Sequence, residues 1–505
     1  MSTHGRRKRL VAVLAVWLPT IVGCDSGTGA RVSTAGKRSA SRPNILLILI
    51  DTLRADRLGC YGNTQGLSPA IDAIAADGVT FERVIAPSPW TQPSIVGLFT
   101  GIYPGAIRPI GDYRQTFDSA RRRAKLVRVL EEEYTTMAEA LRDVGYTTAA
   151  VITNPYISRA FGLAQGFDHF DVGLAEVHAA GDAVNDAAVQ WLAEREPGKP
   201  FFLYLHYMDV HGPYDGGPAF LDPLLDIVDR LADKHALSDA QMKQLDPRYL
   251  LKLPKSYTNL ARHERLMGYR EYWQARYEAG VAELDHHLAA LQQRLGEMGL
   301  WDDLTVIVTS DHGEALGEHG YFSHGLSVHH TELHVPLIIR SPGRLPKSKR
   351  VPQTVRLIDV MPTLLDHVGA PPVDEFQGGS LLPYVAGNPP AEPITAVCEG
   401  LKIESEQFAI YRGEWKVVIL PDPSPMVLYR FATDPLGRNN VVKQNLAVFR
   451  LMQDLAARQR AENAALATNA QREAIQLSDE QMSRLEALGY IGGARSKQDG
   501  DQRTP

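Results

Sequence analysis

An α/β fold built on a large, mostly parallel central sheet flanked by helices is what this sequence predicts. A small antiparallel sheet plus helix is expected at the C-terminal end. Two observations carry this. Asn44–Ile50 (NILLILI) and Thr305–Ser310 (TVIVTS) are continuous apolar, β-branched-rich runs, the reading of a strand buried on both faces in a parallel sheet. Such runs alternate with helical stretches along residues 43–385, the pattern of strands joined by crossover helices. Composition fits an enzyme: 505 residues, 44% hydrophobic and 22% charged. The 53 Lys and Arg against 59 Asp and Glu give a formal charge of −6, so no nucleic-acid partner is expected, since that role needs a basic excess. Three cysteines are too few for a disulfide framework or a multi-cysteine zinc finger.

At the N-terminus Arg6, Arg7, Lys8 and Arg9 precede the apolar run Leu10–Val22. That run is shorter than the ~20 residues of a membrane span and fits the apolar part of an export signal. It ends in Val22, Gly23 and Cys24 and resembles the lipobox of bacterial lipoproteins, in which cleavage before the cysteine leaves its thiol to carry lipid. Residues 1–23 are therefore expected to be a lipoprotein signal peptide. Residues 24–42, rich in Gly, Ser, Thr and Ala, read as a flexible tether. The mature chain is expected to be extracytoplasmic, on the periplasmic face of a membrane and anchored through lipid on Cys24.

The catalytic domain is expected over 43–385. Thr136 and Glu139 form a capping box opening a short helix that Gly145 ends, and Thr147–Thr153 is the next strand. A helix over Asp182–Glu196, the strand Phe201–Tyr207, a long helix over Tyr277–Glu297, the strand Thr305–Ser310 and another over Pro336–Arg340 follow. Residues 216–270 are polar and irregular and read as an insertion beside the site. Residues 386–490 form an α+β subdomain, with short strands over Phe408–Arg412, Trp415–Leu420 and Met426–Phe431. A helix capped by Ser478 and Gln481 follows, and 491–505 is a disordered tail.

Ligands of an open α/β sheet bind at the carboxyl ends of its strands. Asp51 ends the first strand, Asp311 and His312 end the strand TVIVTS, and Thr91 lies where a helix should begin. Two carboxylates, an imidazole and a hydroxyl suit a divalent cation with open positions for substrate. Singly, each has a dull alternative: a strand terminator, an N-cap at Thr91, or a turn at Asp311–Gly313.

On these residues the chain resembles the sulfatase family of the alkaline-phosphatase superfamily. The likeness runs over about 43–490. It is carried by Arg42–Asp51 (RPNILLILID), Leu58–Gly62 (LGCYG), Thr91–Ser94 (TQPS) with Leu98–Gly101 (LFTG), and His211–Tyr214 (HGPY). Ser310–Gly320 (SDHGEALGEHG) is the strongest mark, followed by Val335–Ile339 (VPLII), Asp359–Thr363 (DVMPT) and Ala487–Tyr490 (ALGY). The resemblance implies metal binding by Asp51, Thr91, Asp311 and His312, a nucleophile at Thr91, and substrate-binding and catalytic roles for His211 and His324. It gives no role to His286, His287, His329, His330 or His334, which read as packing or solvated residues.

The departures shape the chemistry expected. Formylglycine sulfatases carry Cys or Ser two residues before Pro and four before Arg. Here Thr91 holds the first place, Pro93 is kept and Ile95 replaces the Arg. Threonine cannot be oxidised to that aldehyde, so this is a Thr-nucleophile variant. Thr52 stands where a second aspartate is usual and His312 where asparagine is frequent. Exchanging a carboxylate for an imidazole favours zinc or manganese, with calcium or magnesium as alternatives. Asp209, two residues before His211, is a weaker candidate ligand for a second ion.

The leading expectation is a metal-dependent hydrolase of sulfuric or phosphoric esters, acting outside the cytoplasm on a small-molecule or glycan ester. The alternatives are a phosphoethanolamine or phosphoglycerol transferase acting on envelope glycans, and a non-catalytic binding lipoprotein.

Overall fold

The computed structural model describes residues 42–107, 130–176, 179–212, 214, 217, 219–221, 260–320, 322–400, 407–420 and 426–467, with paired fragments at 117–118, 123–124, 127–128 and 474–475. The export signal, Cys24, nearly all of the tether, the helix expected from Ser478 and the tail lie outside the described residues.

A nine-stranded sheet organises the chain. Its strands are β1 (Ile45–Ile50), β2 (Val79–Ile85), β3 (Thr147–Val151), β4 (His169–Asp171), β5 (Phe201–Tyr207), β6 (Thr305–Thr309), β7 (His334–Val335), β8 (Leu337–Arg340) and β9 (Lys349–Arg356). The order is β9, β2, β7 with β8, β6, β1, β5, β3, β4. The pairings of β1 with β5 and β6, β3 with β4 and β5, and β2 with β9 are parallel. Only the segment formed by β7 and β8 runs antiparallel to its neighbours in this sheet. It is interrupted at Pro336, which has no N–H to give to a ladder.

The unbroken apolar run of β1 is explained by its neighbours. Ile45, Leu47 and Leu49 enter one core and Leu46, Ile48 and Ile50 the other, as the two-residue period of a strand requires. The first core is closed by Ile95, Val96, Leu98 and Phe99 of the helix Thr91–Thr100 and by Leu364 and Leu365 of the helix Val360–Val368. The second is closed by Ile71 and Ile74 of Pro69–Ala76, Val184 and Leu192 of Gly181–Glu194, and Val281, Leu284 and Leu288 of Leu260–Glu297. Each such side chain contributes about 1.5–3 kcal/mol by leaving water. The result is three layers, helix, sheet and helix.

Several expectations are met closely. Thr136 and Glu139 form the reciprocal capping box of the helix Met137–Asp143, and Gly145 beyond it has φ +92°. Others shift. The long helix starts at Leu260 rather than Tyr277, so the tail of the expected insertion is helical. Its Arg- and Glu-rich sequence lacks the apolar stripe that would have marked it. Strands β2 and β9 were not expected because each carries charged residues. β9 packs on one side only, and its register shifts between Val351 and Thr354, across Pro352.

The second sheet is antiparallel and has four strands: β10 (Thr395–Gly400), β11 (Gln407–Arg412), β12 (Trp415–Ile419) and β13 (Val427–Arg430). The last three were expected and β10 was not. The helix Leu446–Ala467, also unexpected, sets Met452 and Ala456 against Phe408, Ile410 and Val417. Among the described residues, no helix is long and apolar enough to cross a membrane.

Candidate active site

Strands β1 and β6 are adjacent and parallel, with Ile45 opposite Thr305 and Leu49 opposite Thr309. Their carboxyl ends therefore bring Asp51 and Asp311 out side by side. Both are fully buried. Asp311 Oδ1 accepts from the amides of His312 (2.9 Å) and Thr52 (3.4 Å), and Asp51 Oδ2 accepts from Asn154 Nδ2 (2.7 Å). The remaining oxygens, Asp51 Oδ1 and Asp311 Oδ2, have no hydrogen-bond partner. They lie 3.6 and 3.5 Å from His312 Nε2. His312 Nδ1 lies 2.9 Å from Gly313 O; donation there leaves the Nε2 lone pair aimed between the two carboxylates.

Burial, and for Asp51 also the charge of Asp311, raises the carboxyl pKa values, to about 8 for Asp51 and about 7 for Asp311. Two unpaired carboxylate oxygens and an imidazole lone pair within 4.8 Å of one another form a donor set that fits a divalent cation. That fit rests on the orphaned oxygens: without a cation each would be a costly buried charge.

Thr91 is the first residue of its helix and is fully buried. The N-cap is Trp90, in extended conformation and with no side-chain capping bond, so the N-cap explanation for Thr91 is removed. Its hydroxyl faces the cluster instead, 3.5 Å from Asp51 Oδ2 and 3.3 Å from His312 Nε2. Three imidazoles continue from there. The His312 and His324 ring centroids are 4.5 Å apart, and those of His324 and His211 are 5.2 Å apart. His324 Nδ1 pairs with Glu314 Oε2 at 3.2 Å, and His211 Nδ1 with Gly212 O at 2.7 Å. Asp51, Thr91, His211, Asp311, His312 and His324 thus lie in one buried group.

Asp209 does not join it. Asp209 Oδ1 accepts from the Gly181 amide at 2.9 Å and lies 3.6 Å from His287 Nε2, so it anchors a helix start. The packing reading holds for His330 and His334, whose rings stack 4.8 Å apart. His334 Nε2 also bonds Glu82 O.

Three contributors were missed. Asn154 follows strand β3 and holds Asp51. His206, inside the apolar run of β5, lies 3.6 Å from Asp51 Oδ2 and 3.0 Å from Thr153 Oγ1. Burial lowers its pKa to about 3 and keeps it neutral. Glu314 orients His324. The available signal was position: Asn154 and His206 both sit near carboxyl ends of strands. Thr52 adds backbone strain, being β-branched with φ +61°. Its carbonyl accepts from Tyr277 Oη at 2.8 Å, which helps hold the turn. Asn154→Ala is expected to weaken metal binding and turnover about 10–100-fold, the usual effect of losing a partner that orients a ligand. Metal titration by calorimetry reads this, and unchanged affinity would contradict it.

The sequence profile of the family described as Sulfatase matches residues 43–370. The chain belongs to the sulfatase family. A second profile, N-sulphoglucosamine sulphohydrolase, C-terminal, matches residues 317–463, spanning the four-stranded sheet of this chain. Arylsulfatase K of Canis lupus familiaris is 23% identical over 478 residues, covering 85% of each chain. A solved structure in complex with its substrate D-glucosamine-2-N,6-O-disulfate superposes with a TM-score of 0.68 at 20% identity, over 84% of this chain and 99% of the other. The phosphonate monoester hydrolase of Agrobacterium radiobacter superposes with a TM-score of 0.61 at 23% identity, over 84% and 96%. The fold is that of the sulfatases, and the chain is a sulfatase-like ester hydrolase.

Proposed function

We propose that this sulfatase-family chain is a metal-dependent hydrolase of sulfate, phosphate or phosphonate esters that uses the Thr91 hydroxyl as nucleophile. One observation carries the reading: Thr91 Oγ1 lies within 3.5 Å of both Asp51 Oδ2 and His312 Nε2, at a helix N-terminus and without a capping role.

Asp51, Asp311 and His312 would hold the metal, with Thr91 beside them. A divalent cation bound there supplies positive charge that lowers the hydroxyl pKa and stabilises an anionic ester. Thr91 Oγ gives its proton to Asp51 Oδ2, its acceptor at 3.5 Å, and attacks sulfur or phosphorus in line. The bond from that atom to the leaving oxygen breaks, and the leaving oxygen takes a proton from an imidazole. His211 and His324 would bind the equatorial oxygens. The Nδ1 contact of His324 with Glu314 turns its Nε2 to the opposite side of the ring. Water then attacks the same sulfur or phosphorus, the bond to Thr91 Oγ breaks to release the inorganic or phosphonate anion, and Oγ takes its proton back from Asp51. The first helical amides oppose the charge that develops.

Sulfated sugars are favoured as the substrate class because a structural relative binds D-glucosamine-2-N,6-O-disulfate. Phosphorus esters are favoured by the threonine itself, which cannot expel sulfate by the elimination open to formylglycine. The deciding assay gives the protein lacking residues 1–41 zinc, manganese, magnesium or calcium. It measures release from aryl sulfates, aryl phosphate mono- and diesters and aryl phosphonate monoesters. Turnover of at least one ester that a chelator removes supports the reading; no turnover with any metal would sink it. Delivery of the group to an added alcohol instead of water would make the enzyme a transferase.

The same reading places the enzyme outside the cytoplasm with lipid on Cys24, because the apolar run before it is short and ends Val22-Gly23-Cys24. Cys24→Ser should leave the precursor uncut at that site. A variant still cut there and still membrane-bound would refute it.

A further inference from the structure

His324 stands where the short strand Phe322–Ser323, paired with Ala315–Leu316, passes into a loop. Ser323 before it has φ +87° and Gly325 after it has φ +75°. A left-handed serine persists only where its surroundings impose that conformation. Pairing with Ala315 holds Ser323 on one side of His324; on the other side the loop is held by Glu332. This residue is fully buried, and its side chain takes two donors from the loop. Oε2 accepts from the Gly325 amide at 3.0 Å, and Oε1 accepts from the Ser327 hydroxyl. Its backbone carbonyl accepts from the Gly313 amide at 2.9 Å, directly after His312. One residue therefore ties the segment that ends in the metal-type cluster to the loop that carries His324.

The four-stranded sheet braces the same loop. Gln407 accepts from the Val328 amide and donates to Leu326 O, both at 3.2 Å. Lys416, fully buried, donates to Val328 O. A buried carboxylate and a buried ammonium both lose hydration, so packing alone would select apolar residues at these places. Their hydrogen bonds instead converge on residues 325–328.

Resting on the catalytic role given to His324 above, we propose that Glu332 is a positioning residue for His324, with Lys416 and Gln407 of the second sheet bracing its loop. Gln at 332 keeps the size of the side chain but turns an NH2 group towards one of the two donors, so one bond is lost. A ring displaced by about 1 Å costs on the order of a hundredfold in turnover.

The test is a double-mutant cycle on the ester that wild type cleaves fastest in the panel above. It uses Glu332→Gln, His324→Ala and the pair, with thermal midpoints and bound metal measured for each. Glu332→Gln is expected to lower kcat about 10–100-fold. The double variant should be no slower than His324→Ala within about twofold, since there is then no imidazole left to position. Multiplying losses would overturn the proposal, because Glu332 would then act on the fold alone. If Glu332→Gln does not fold, Ser327→Ala removes one of the two bonds, leaves the carboxylate in place and enters the same cycle. Wild-type turnover by His324→Ala would overturn the role of His324 itself, an outcome distinct from multiplying losses.

Discussion

Replacing Thr91 by alanine is expected to abolish turnover, by ~10³-fold or more, while leaving the protein folded. Removal of a nucleophile leaves only binding and electrostatic assistance. The fold should survive because the Thr91 hydroxyl makes no helix-capping bond; the cap is Trp90, which has no side-chain capping bond. Alanine is in addition a better helix former than threonine. Thr91→Ser keeps the hydroxyl, loses a methyl group in a buried position and should retain part of the activity. Quenched wild-type turnover should yield a covalent adduct on Thr91, detectable as a mass increase of the peptide that contains it. Near-normal kcat in a folded, metal-loaded Thr91→Ala protein would mean that water attacks directly.

The second large effect concerns the paired carboxylates and has opposite signs with and without metal. Asp51 and Asp311 are raised to about 8 and about 7 in the folded protein, from an ordinary value of 3.8. Without metal the folded state therefore holds protons that the unfolded state releases. Stability from these groups is fully present below about pH 4 and is lost as pH rises through 7 to 8. The loss is on the order of a few kcal/mol, so the midpoint of the chelated protein should fall steadily between pH 5 and pH 8. Asp51→Asn removes one of the two negative charges and should flatten that slope, raising stability at pH 8 while lowering metal affinity and turnover. Saturating metal should stabilise the wild type most at the alkaline end, by mass action on the folded state. Thermal scans of the two proteins across this range, with chelator and with manganese, measure both signs. A midpoint independent of pH in chelated wild type, or full metal occupancy in Asp311→Ala, would remove these carboxylates from the metal site.

The sequence alone determined a good deal of this protein. The run Asn44–Ile50 can be buried only on both faces, because it has no polar side to give to water. That fixes a central parallel strand, and with it the end at which ligands bind. Asp51, Asp311, His312 and Thr91 were legible because each stands at a strand end or a helix start, where a side chain can leave the layer that its backbone belongs to. The capping box at Thr136 was legible for a local reason: both of its bonds close within four residues.

The tertiary structure decided what depends on neighbours distant in the chain. That β1 lies beside β6, so that Asp51 meets Asp311 although the two are 260 positions apart in sequence, follows from strand order, which no local pattern encodes. Asn154, His206 and Glu314 escaped notice because an amide, a neutral imidazole and a carboxylate are ordinary residues until the fold sets them against Asp51 and His324. The strands β2 and β9 and the first half of the long helix were hidden by their charges. In β2 and β9, Glu82 and Arg350 find each other only in the packed structure. Thr91 could equally have been a helix cap by its sequence. Only the folded backbone, which gives the cap to Trp90, turns its hydroxyl towards the carboxylates.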